Sequence, residues 1–318
     1  MLDNLDPSVA LKIDDLILLN IKDVKNYLES NVYLIKDIKF TNHATYHMDY
    51  GYNQFNNPVK IAYNNGKIQR IVIKTKNYPL KRLKLTLSYD GSNYHGFQIQ
   101  DKEKTIQGEL SKLISEVNNQ EILVQGSSRT DAGVHAINQV VHFDDLSKLT
   151  TDEWLKFLNH RLPKDIFIKD VELVHPMFHS RYDVCEKEYL YQIKLGDFNP
   201  FLLKYTWQIE YLDFIRLDNQ LKEIIGTFDF SSFAKGIKGD NVRTIYDAGY
   251  KLDDDILKIY IRGNGFLRYM VRLIINHVIN FATKKTDIDI LDIIKEKSRT
   301  HTKDLAPASG LYLNKINY

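Results

Sequence analysis

The fold and the function of this chain both centre on the stretch QGSSRTDAGVHAINQVVHF, residues 125–143. Its second half, INQVVHF, alternates apolar and polar residues and predicts a β-strand. Its first half places Arg129 and Asp131 two residues apart on a loop of glycine, serine and alanine. Small residues let a backbone come close to a neighbour or a ligand. The stretch therefore predicts a ligand-binding loop that leads into a strand.

The segments around this loop follow a regular order of predicted strands and helices. A helix at 105–117 is indicated by apolar residues at helical spacing behind Thr105, a typical N-cap residue. The predicted order is strand, helix, strand, strand, helix, strand, in KLTLSY, TIQGELSKLISEV, EILVQG, NQVVHF, DEWLKFLNHRL and IFIKDVELV. Residues 81–184 are therefore predicted to form a β-α-β-β-α-β unit.

Residues 185–318 partly repeat this order. KEYLYQIKL predicts a strand, LDNQLKEIIGTF an amphipathic helix, and 243–263 a hairpin that turns at three successive aspartates. A long helix is predicted from about Phe266, followed by a helix in DILDIIKEK and a last strand around GLYL. We predict an α+β fold in which two split-βαβ (ferredoxin-like) halves form an antiparallel sheet flanked by helices, with the active-site cleft between the halves.

Residues 1–80 lie outside the repeated pattern. IKDVKNYLES predicts a helix, and VKIAYNNGKIQRIVIK predicts a hairpin with a turn at Asn64, Asn65 and Gly66. No catalytic motif is visible in this segment. We predict an N-terminal accessory domain of unknown role.

The composition is that of a globular chain. Of 318 residues, 43% are hydrophobic and 26% are charged, and the net charge is +2. The single cysteine, Cys185, allows no internal disulfide, and the acidic N-terminus does not resemble a signal peptide. FLRYMVRLIINHVINFA at 266–282 contains two arginines and a histidine, so it predicts a buried helix, not a membrane span. A cytoplasmic protein is expected.

Several chemistries do not fit the loop around Asp131. An aspartic protease needs a second carboxylate motif, and the histidines of this region lack companions at metal-ligand spacing. No serine-hydrolase elbow and no phosphate-binding glycine loop is present. Asp131 either caps a turn in a structural loop or acts directly at a glycosidic carbon, as a nucleophile or by stabilising a cationic sugar. In the second case, Arg129 is expected to keep the carboxylate ionised.

SSRTDAGVHA resembles the catalytic-loop signature of the TruA family of tRNA pseudouridine synthases. The family's other blocks are matched in order by YDGSNYHGFQIQ, TIQGEL, LPKDI, FHSRYDVCEKEYLYQI, FDFSSF, FLRYMVR and APASGLYL. The resemblance covers residues 81–318, and so many ordered blocks make it highly specific.

The resemblance implies an RNA isomerase that needs no cofactor and no metal. Its substrate is the anticodon stem-loop of tRNA at positions 38, 39 and 40, and it works as a homodimer. Asp131 is the essential carboxylate by this resemblance. It either attacks the ribose or removes a ribose proton to give a glycal, and the sequence leaves both routes open.

The resemblance also assigns roles to other residues. Arg129 fills the space of the extruded base and contacts its phosphate, and Tyr189 stacks on the flipped uracil. Arg272 pairs with the catalytic aspartate from the other half of the cleft. Substrate contacts are expected at Leu311, which walls the uracil pocket, at Arg268, four residues before Arg272 on the same helical face, and at Lys84 in the basic cluster 81–84.

Three positions depart from the family's pattern. Ser128 stands where a glycine usually precedes the arginine, Phe97 replaces a usual tryptophan, and Phe228 replaces a histidine or asparagine. None of them removes a chemical group that the reaction needs. Two alternatives remain: a pseudouridine synthase directed to another RNA by the N-terminal segment, and a tRNA-binding protein of this fold without turnover.

Overall fold

The computed structural model describes residues 10–11, 35–36, 47–53, 58–64, 67–73, 81–236 and 239–318. These residues form two β-sheets, and α-helices flank the larger sheet, so the mixed α+β class is as predicted. The predicted helix at 21–30 and the turn residues Asn65 and Gly66 lie outside the described residues. Within those residues, no helix combines the length and the apolar character needed to cross a membrane.

The smaller sheet belongs to the N-terminal segment. Its strands pair antiparallel in the order β1-β5-β4-β3-β2. The strands are β1 (Ala10–Leu11), β2 (Ile35–Lys36), β3 (His47–Asn53), β4 (Pro58–Asn64) and β5 (Lys67–Ile73). The predicted hairpin of VKIAYNNGKIQRIVIK is confirmed, because β4 and β5 are antiparallel neighbours.

The larger sheet begins with the elements around the opening stretch. They are β6 (Arg82–Tyr89), α1 (Ile106–Asn118), β7 (Gln125–Gly126), β8 (His135–Asp144), α2 (Thr151–Arg161) and β9 (Ile166–Val174). The alternating leucines of β6 are fully buried, and Thr105 caps α1 by accepting a hydrogen bond from the Gly108 N–H. The predicted order of these elements is confirmed, although β7 is much shorter than the strand expected in EILVQG.

The later elements complete the same sheet. They are β10 (Glu186–Leu195), β11 (Trp207–Ile209), α3 (Phe214–Glu223), β12 (Gly226–Asp229), β13 (Val242–Asp253), β14 (Ile256–Gly263), α4 (Met270–Ala282), α5 (Ile290–Glu296) and β15 (Leu311–Asn317). The main strand order is β12-β13-β14-β10-β15-β8-β6-β9, with β11 beside β10 and β7 beside β8. The pair β15–β8 joins the later elements to the earlier ones.

The sheet is not antiparallel throughout, so that part of the prediction is wrong. β15 runs parallel to β8, and β11 runs parallel to β10. A hairpin forces its strands to be antiparallel, whereas strands that are distant in sequence or joined by a longer connection carry no such constraint. The β15–β8 pair aligns Tyr312 with His135, which are far apart in the chain.

Two predicted helices differ from the observed ones. The helix over 217–228 ends at Glu223, because Gly226 has φ 137° and begins β12. The helix expected from Phe266 begins only at Met270, because Tyr269 adopts a left-handed conformation with φ 66°. Arg268 therefore precedes the helix and does not share a helical face with Arg272.

Asp183 connects the N-terminal sheet to the larger one. Its buried carboxylate accepts hydrogen bonds from Lys60 Nζ and Tyr50 Oη, both in the N-terminal sheet. The backbone N–H of His179 donates to the same carboxylate at 2.7 Å. A second contact joins Nε2 of His175 to the carbonyl oxygen of Gly51 at 3.0 Å. The two sheets are thus held together by polar contacts that are mostly shielded from water.

Candidate active site

The loop at 127–134 connects β7 to β8 and lines a cavity of the larger-sheet region. A Cβ at Gly126 would lie 2.3 Å from the ring of Phe97, so this glycine makes room for protein, not for a ligand. Gly133 has φ 77°, a conformation that side chains rarely adopt. The small residues of the motif therefore allow a tight loop that packs closely and presents Asp131.

The side-chain amide of Gln139 fixes this loop from β8. Its Nε2 donates to the carbonyl of Ser128 at 2.8 Å, and its Oε1 accepts from the Ser128 N–H at 3.3 Å. Nε2 also donates to Tyr89 Oη at 3.3 Å, so the tyrosine proton is left for Thr130 Oγ1 at 2.8 Å. All these groups are buried, and such satisfied networks rigidify a site.

Asp131 and Arg272 face each other across the cavity. Arg272 Nη1 lies 3.5 Å from Asp131 Oδ2, which is longer than a strong charge-assisted hydrogen bond of about 2.7–2.9 Å. The Nε of Arg272 donates to the carbonyl of Ala306 at 2.8 Å, which holds the guanidinium in place. The side chain of Asp131 remains 26% exposed, so its carboxylate is available to a ligand.

The pKa of Asp131 is raised above its ordinary value of 3.8 because the carboxyl is largely shielded from water. The positive charges of Arg272 and Arg268 oppose this shift without cancelling it. Arg129 was expected to be the group that keeps the carboxylate ionised, and that expectation is wrong. Arg272 is the main group that favours the charged form.

Tyr189 lies on β10 with its ring buried beside the cavity. Its Oη and the Ser128 Oγ are 2.9 Å apart, and its ring meets that of Phe266 edge-on at 5.1 Å. Burial raises the pKa of Tyr189 to about 12, so the phenol carries its proton at neutral pH. Its oxygen is held by a residue of the Asp131 loop.

The two other predicted arginines are exposed at the cavity. Arg129 lines it, and within the described part of the chain its side chain makes no hydrogen bond or ion pair. Arg268 also lines it, with its guanidinium 4.9 Å from the ring centre of Tyr269. Both cations remain accessible to an anionic ligand.

Leu311 and Lys84 have different positions. Leu311 begins β15, is buried, and forms part of the cavity wall. Lys84 lies within β6, does not line this cavity, and pairs with Glu172 of β9 at 2.7 Å. Its cluster neighbour Arg82 is likewise paired with Asp144, at 2.7 and 2.9 Å. The cluster 81–84 is therefore engaged mainly with carboxylates of the protein itself.

The cavity has a volume of about 710 Å³ and takes its walls from both parts of the larger-sheet region. Asp131 is the single acidic residue among the described residues that line it. The lining cations are Arg129, Arg181, Lys187, Arg268 and Arg272. Lys187 and Arg181 were not predicted. The position of Lys187 two residues before Tyr189, on the same face of a strand, was the available signal.

The arrangement suits an enzyme that uses one carboxylate directly on an anionic substrate. The cations attract negative charge, and the aromatic rings of Tyr189, Phe266 and Tyr269 offer stacking surfaces. Among the residues that the structure describes, no group of three or more histidine, cysteine, aspartate or glutamate side chains is arranged to hold a metal ion.

Comparison with known proteins assigns the class. The family described as tRNA pseudouridine synthase matches residues 86–183 and 221–318. A protein of Geobacillus sp. strain WCH70 named tRNA pseudouridine synthase A is 43% identical over 244 residues, which are 75% of this chain and 98% of that protein. The protein of the same name from Latilactobacillus sakei is 39% identical over 246 residues, 75% of this chain and 99% of the relative.

A third relative, from Bacillus cereus, is named tRNA pseudouridine synthase A 2. It is 39% identical over 241 residues, 74% of this chain and 98% of its own length. The chain belongs to the tRNA pseudouridine synthase family. Three-quarters of this chain thus correspond to nearly the whole length of these relatives.

Proposed function

We propose that this chain converts uridine to pseudouridine in the anticodon stem-loop of tRNA, at positions 38, 39 and 40. The observation that carries the proposal is the placement of Asp131. It is the acidic group of a cation-lined cavity in a chain of this family, and it faces an arginine from a distant segment. One active site that modifies three adjacent positions must recognise the shape and the phosphates of the RNA. The exposed cations of the cavity fit that mode of recognition.

Asp131 is the catalytic carboxylate of this proposal. The nitrogen-to-carbon glycosidic bond breaks, the uracil rotates while it is held, and its carbon 5 bonds to the sugar. The ionised carboxylate either attacks the ribose or removes a ribose proton to give a glycal. Its long contact to Arg272 supports either role, because at 3.5 Å the arginine does not occupy the carboxylate oxygen with a strong hydrogen bond.

The other residues proposed to act in catalysis line the same cavity. Arg129 takes the place of the extruded base and contacts its phosphate, which fits its exposed, unpartnered side chain in the described part of the chain. Tyr189 stacks on the uracil, and Leu311 walls the base pocket. Arg272 orients Asp131 and favours its charged form.

Two further contacts to the RNA are proposed with different support. Arg268 is exposed at the cavity, as a phosphate contact requires. Lys84 has no such support, since it pairs with Glu172 away from the cavity. Its contact with substrate stays a prediction.

The finer architecture is also part of the proposal. Two split-βαβ (ferredoxin-like) halves, 81–184 and 185–318, enclose the active-site cleft, and residues 1–80 form an accessory domain. Cavity walls that come from both halves support this division.

We place the enzyme in the cytoplasm as a homodimer that grips one tRNA. The exposed side chains of Phe201 (87% exposed) and Tyr211 support an apolar interface. Near them, the Asn199 N–H donates to Oε1 of Gln208 in β11 at 2.8 Å.

The test is a comparison of total RNA from cells with and without this protein, treated with carbodiimide to map pseudouridines. Loss of the modification only at anticodon-stem positions is the expected result. Loss at sites outside tRNA would indicate a synthase directed to another RNA. No loss at any site would indicate a tRNA-binding protein without turnover, and either of these outcomes overturns the proposal.

A further inference from the structure

Lys187 is a cavity-lining amine that none of the roles above explains. It lies on β10 two residues before Tyr189, so the two side chains lie on the same face of the strand. Its amine makes no ion pair with a carboxylate in the described part of the chain. Its pKa is lowered to about 8, chiefly by burial and then by the charge of Arg181.

The contacts of Lys187 lead to the Asp131 loop. Its Nζ donates to the carbonyl of Ser127 at 2.8 Å and lies 3.4 Å from Ser128 Oγ. Ser128 Oγ is in turn 2.9 Å from Tyr189 Oη. Lysine, serine and tyrosine thus form a short chain of polar atoms at the cavity wall.

The ammonium group of Lys187 sets the donor-to-acceptor direction of the hydrogen bonds that lead through Ser128 to Tyr189. An ammonium has three donors and no acceptor, so Ser128 Oγ can only accept from Lys187. The positive charge also favours a serine proton that points away from it, toward Tyr189 Oη. The phenolic oxygen then accepts from Ser128, and its own proton is left for a ligand in the cavity.

We propose that Lys187 and Ser128 are positioning residues that hold Tyr189 as a hydrogen-bond donor toward an oxygen of the RNA sugar–phosphate backbone, while its ring stacks on the uracil. The proposal rests on the proposed function, because the acceptor belongs to the RNA substrate. Tyr189 keeps its proton throughout and forms a hydrogen bond, not a new covalent bond.

The first test is a double-mutant cycle between Ser128→Ala and Tyr189→Phe. The measurements are the single-turnover rate at saturating anticodon stem-loop RNA and the Kd for that RNA. Ser128→Ala is expected to lower the saturated rate about 3- to 10-fold, the usual worth of one hydrogen bond, with Kd changed less than about twofold. In the Tyr189→Phe background the same substitution is expected to have no further effect.

Ser127→Ala is the matched control, because the Ser127 hydroxyl is buried in the same loop and, among the described residues, makes no hydrogen bond to Lys187, Ser128 or Tyr189. Its backbone carbonyl, which Lys187 uses, is retained. An equal rate loss for Ser128→Ala in the presence and absence of the Tyr189 hydroxyl would overturn the proposal. A loss that appears only in Kd would also overturn it.

A second measurement does not depend on turnover. In protein labelled with ¹³C at the tyrosine Cζ, the signal missing from Tyr189→Phe identifies Tyr189. We expect its shift to move in both Ser128→Ala and Lys187→Met and to stay in place in Ser127→Ala. An unmoved signal in folded Lys187→Met overturns the role of the lysine, and an unmoved signal in Ser128→Ala overturns that of the serine. Absence of turnover in the unmodified chain would instead refute the proposed function.

Discussion

Asp131 and Asp183 lie about fifty positions apart in one chain, and their surroundings are opposite. The side chain of Asp183 is 1% exposed and accepts from Lys60, Tyr50 and the His179 N–H. The side chain of Asp131 is 26% exposed and has one arginine at 3.5 Å. One carboxylate is saturated with donors from the protein, and the other is left with capacity for a ligand.

The difference separates a structural carboxylate from the one proposed to be catalytic. A buried carboxylate is stable only when its partners replace water, which Asp183 achieves with donors from two segments of the chain. Asp131 is shielded from water, and its neighbours do not fully replace the lost hydration. Its pKa is raised for this reason. Such an incompletely paired group in a cavity is a candidate for chemistry.

The largest expected effect is at Asp131. Asp131→Asn should lower the single-turnover rate roughly 10⁴-fold, as removal of an essential catalytic group does, and leave RNA binding nearly unchanged. A raised carboxyl pKa in the folded state means that stability is greatest below the unfolded pKa and falls as pH rises through the folded pKa. The variant should therefore be at least as stable as the unmodified protein at pH 7. Turnover within tenfold of the unmodified rate would contradict the assignment.

Lys60→Met should have the opposite effect, with a large loss of stability and little change in rate. It leaves Asp183 buried without its cation, so the free energy of unfolding should fall by about 3–5 kcal/mol, while the saturated rate stays within a few-fold. The measurement is urea unfolding beside the single-turnover assay. Lys84→Met is the matched control, because its partner Glu172 is 44% exposed and such a pair contributes about 0–1 kcal/mol. Equal stability losses in the two variants would remove the contrast between buried and exposed pairs.

The sequence was sufficient for the parts of this comparison that depend on local pattern. The alternation of β6 and the Thr105 cap of α1 are local features, and both were predicted. The family motifs named six residues that the structure brings to one cavity. They are Arg129, Asp131, Tyr189, Arg268, Arg272 and Leu311.

The parts that were missed depend on contacts between distant segments. Lys60 and Asp183 are 123 positions apart, and no periodicity links them. The late start of α4 depends on the left-handed backbone of Tyr269, a conformation that an apolar helical pattern does not reveal. The ion pair of Lys84 depends on which strand lies beside β6, which only the sheet order fixes.

Arg272→Ala and Arg129→Ala should have different effects, although both arginines line the same cavity. Arg272 touches Asp131 and the carbonyl of Ala306, so its loss should lower both stability, by about 1–3 kcal/mol, and the saturated rate, by about 100-fold. Arg129 has no protein partner among the described residues, so its loss should lower the rate without a change in stability. Thermal unfolding and single-turnover kinetics measure the two effects. Equal thermal shifts for both variants would contradict the separate roles.

The pH profile tests the state of Asp131 directly. The proposed mechanism needs the ionised carboxylate, so the saturated rate should fall about tenfold per pH unit on acidification, with a midpoint above the ordinary 3.8. Arg272 holds the pKa down, so Arg272→Ala should move this midpoint to higher pH. Lys60→Met, which acts at the other aspartate, should leave the midpoint in place. A midpoint that stays unchanged in Arg272→Ala would mean that a group other than Asp131 controls the rate.

The smallest expected effect is that of removing the N-terminal sheet altogether. A chain that starts at Tyr78 lacks Lys60 and Tyr50, but it also lacks the strands that cover Asp183, so water can replace the lost donors. Deletion should therefore harm this carboxylate less than Lys60→Met, which leaves it covered and without its cation. We expect the shortened chain to fold, to dimerise and to modify the anticodon stem-loop with a saturated rate within a few-fold of the full chain. Kd for the RNA and the range of substrates are the quantities that should change. A soluble, dimeric shortened chain whose saturated rate falls a hundredfold would place residues 1–80 in the active site.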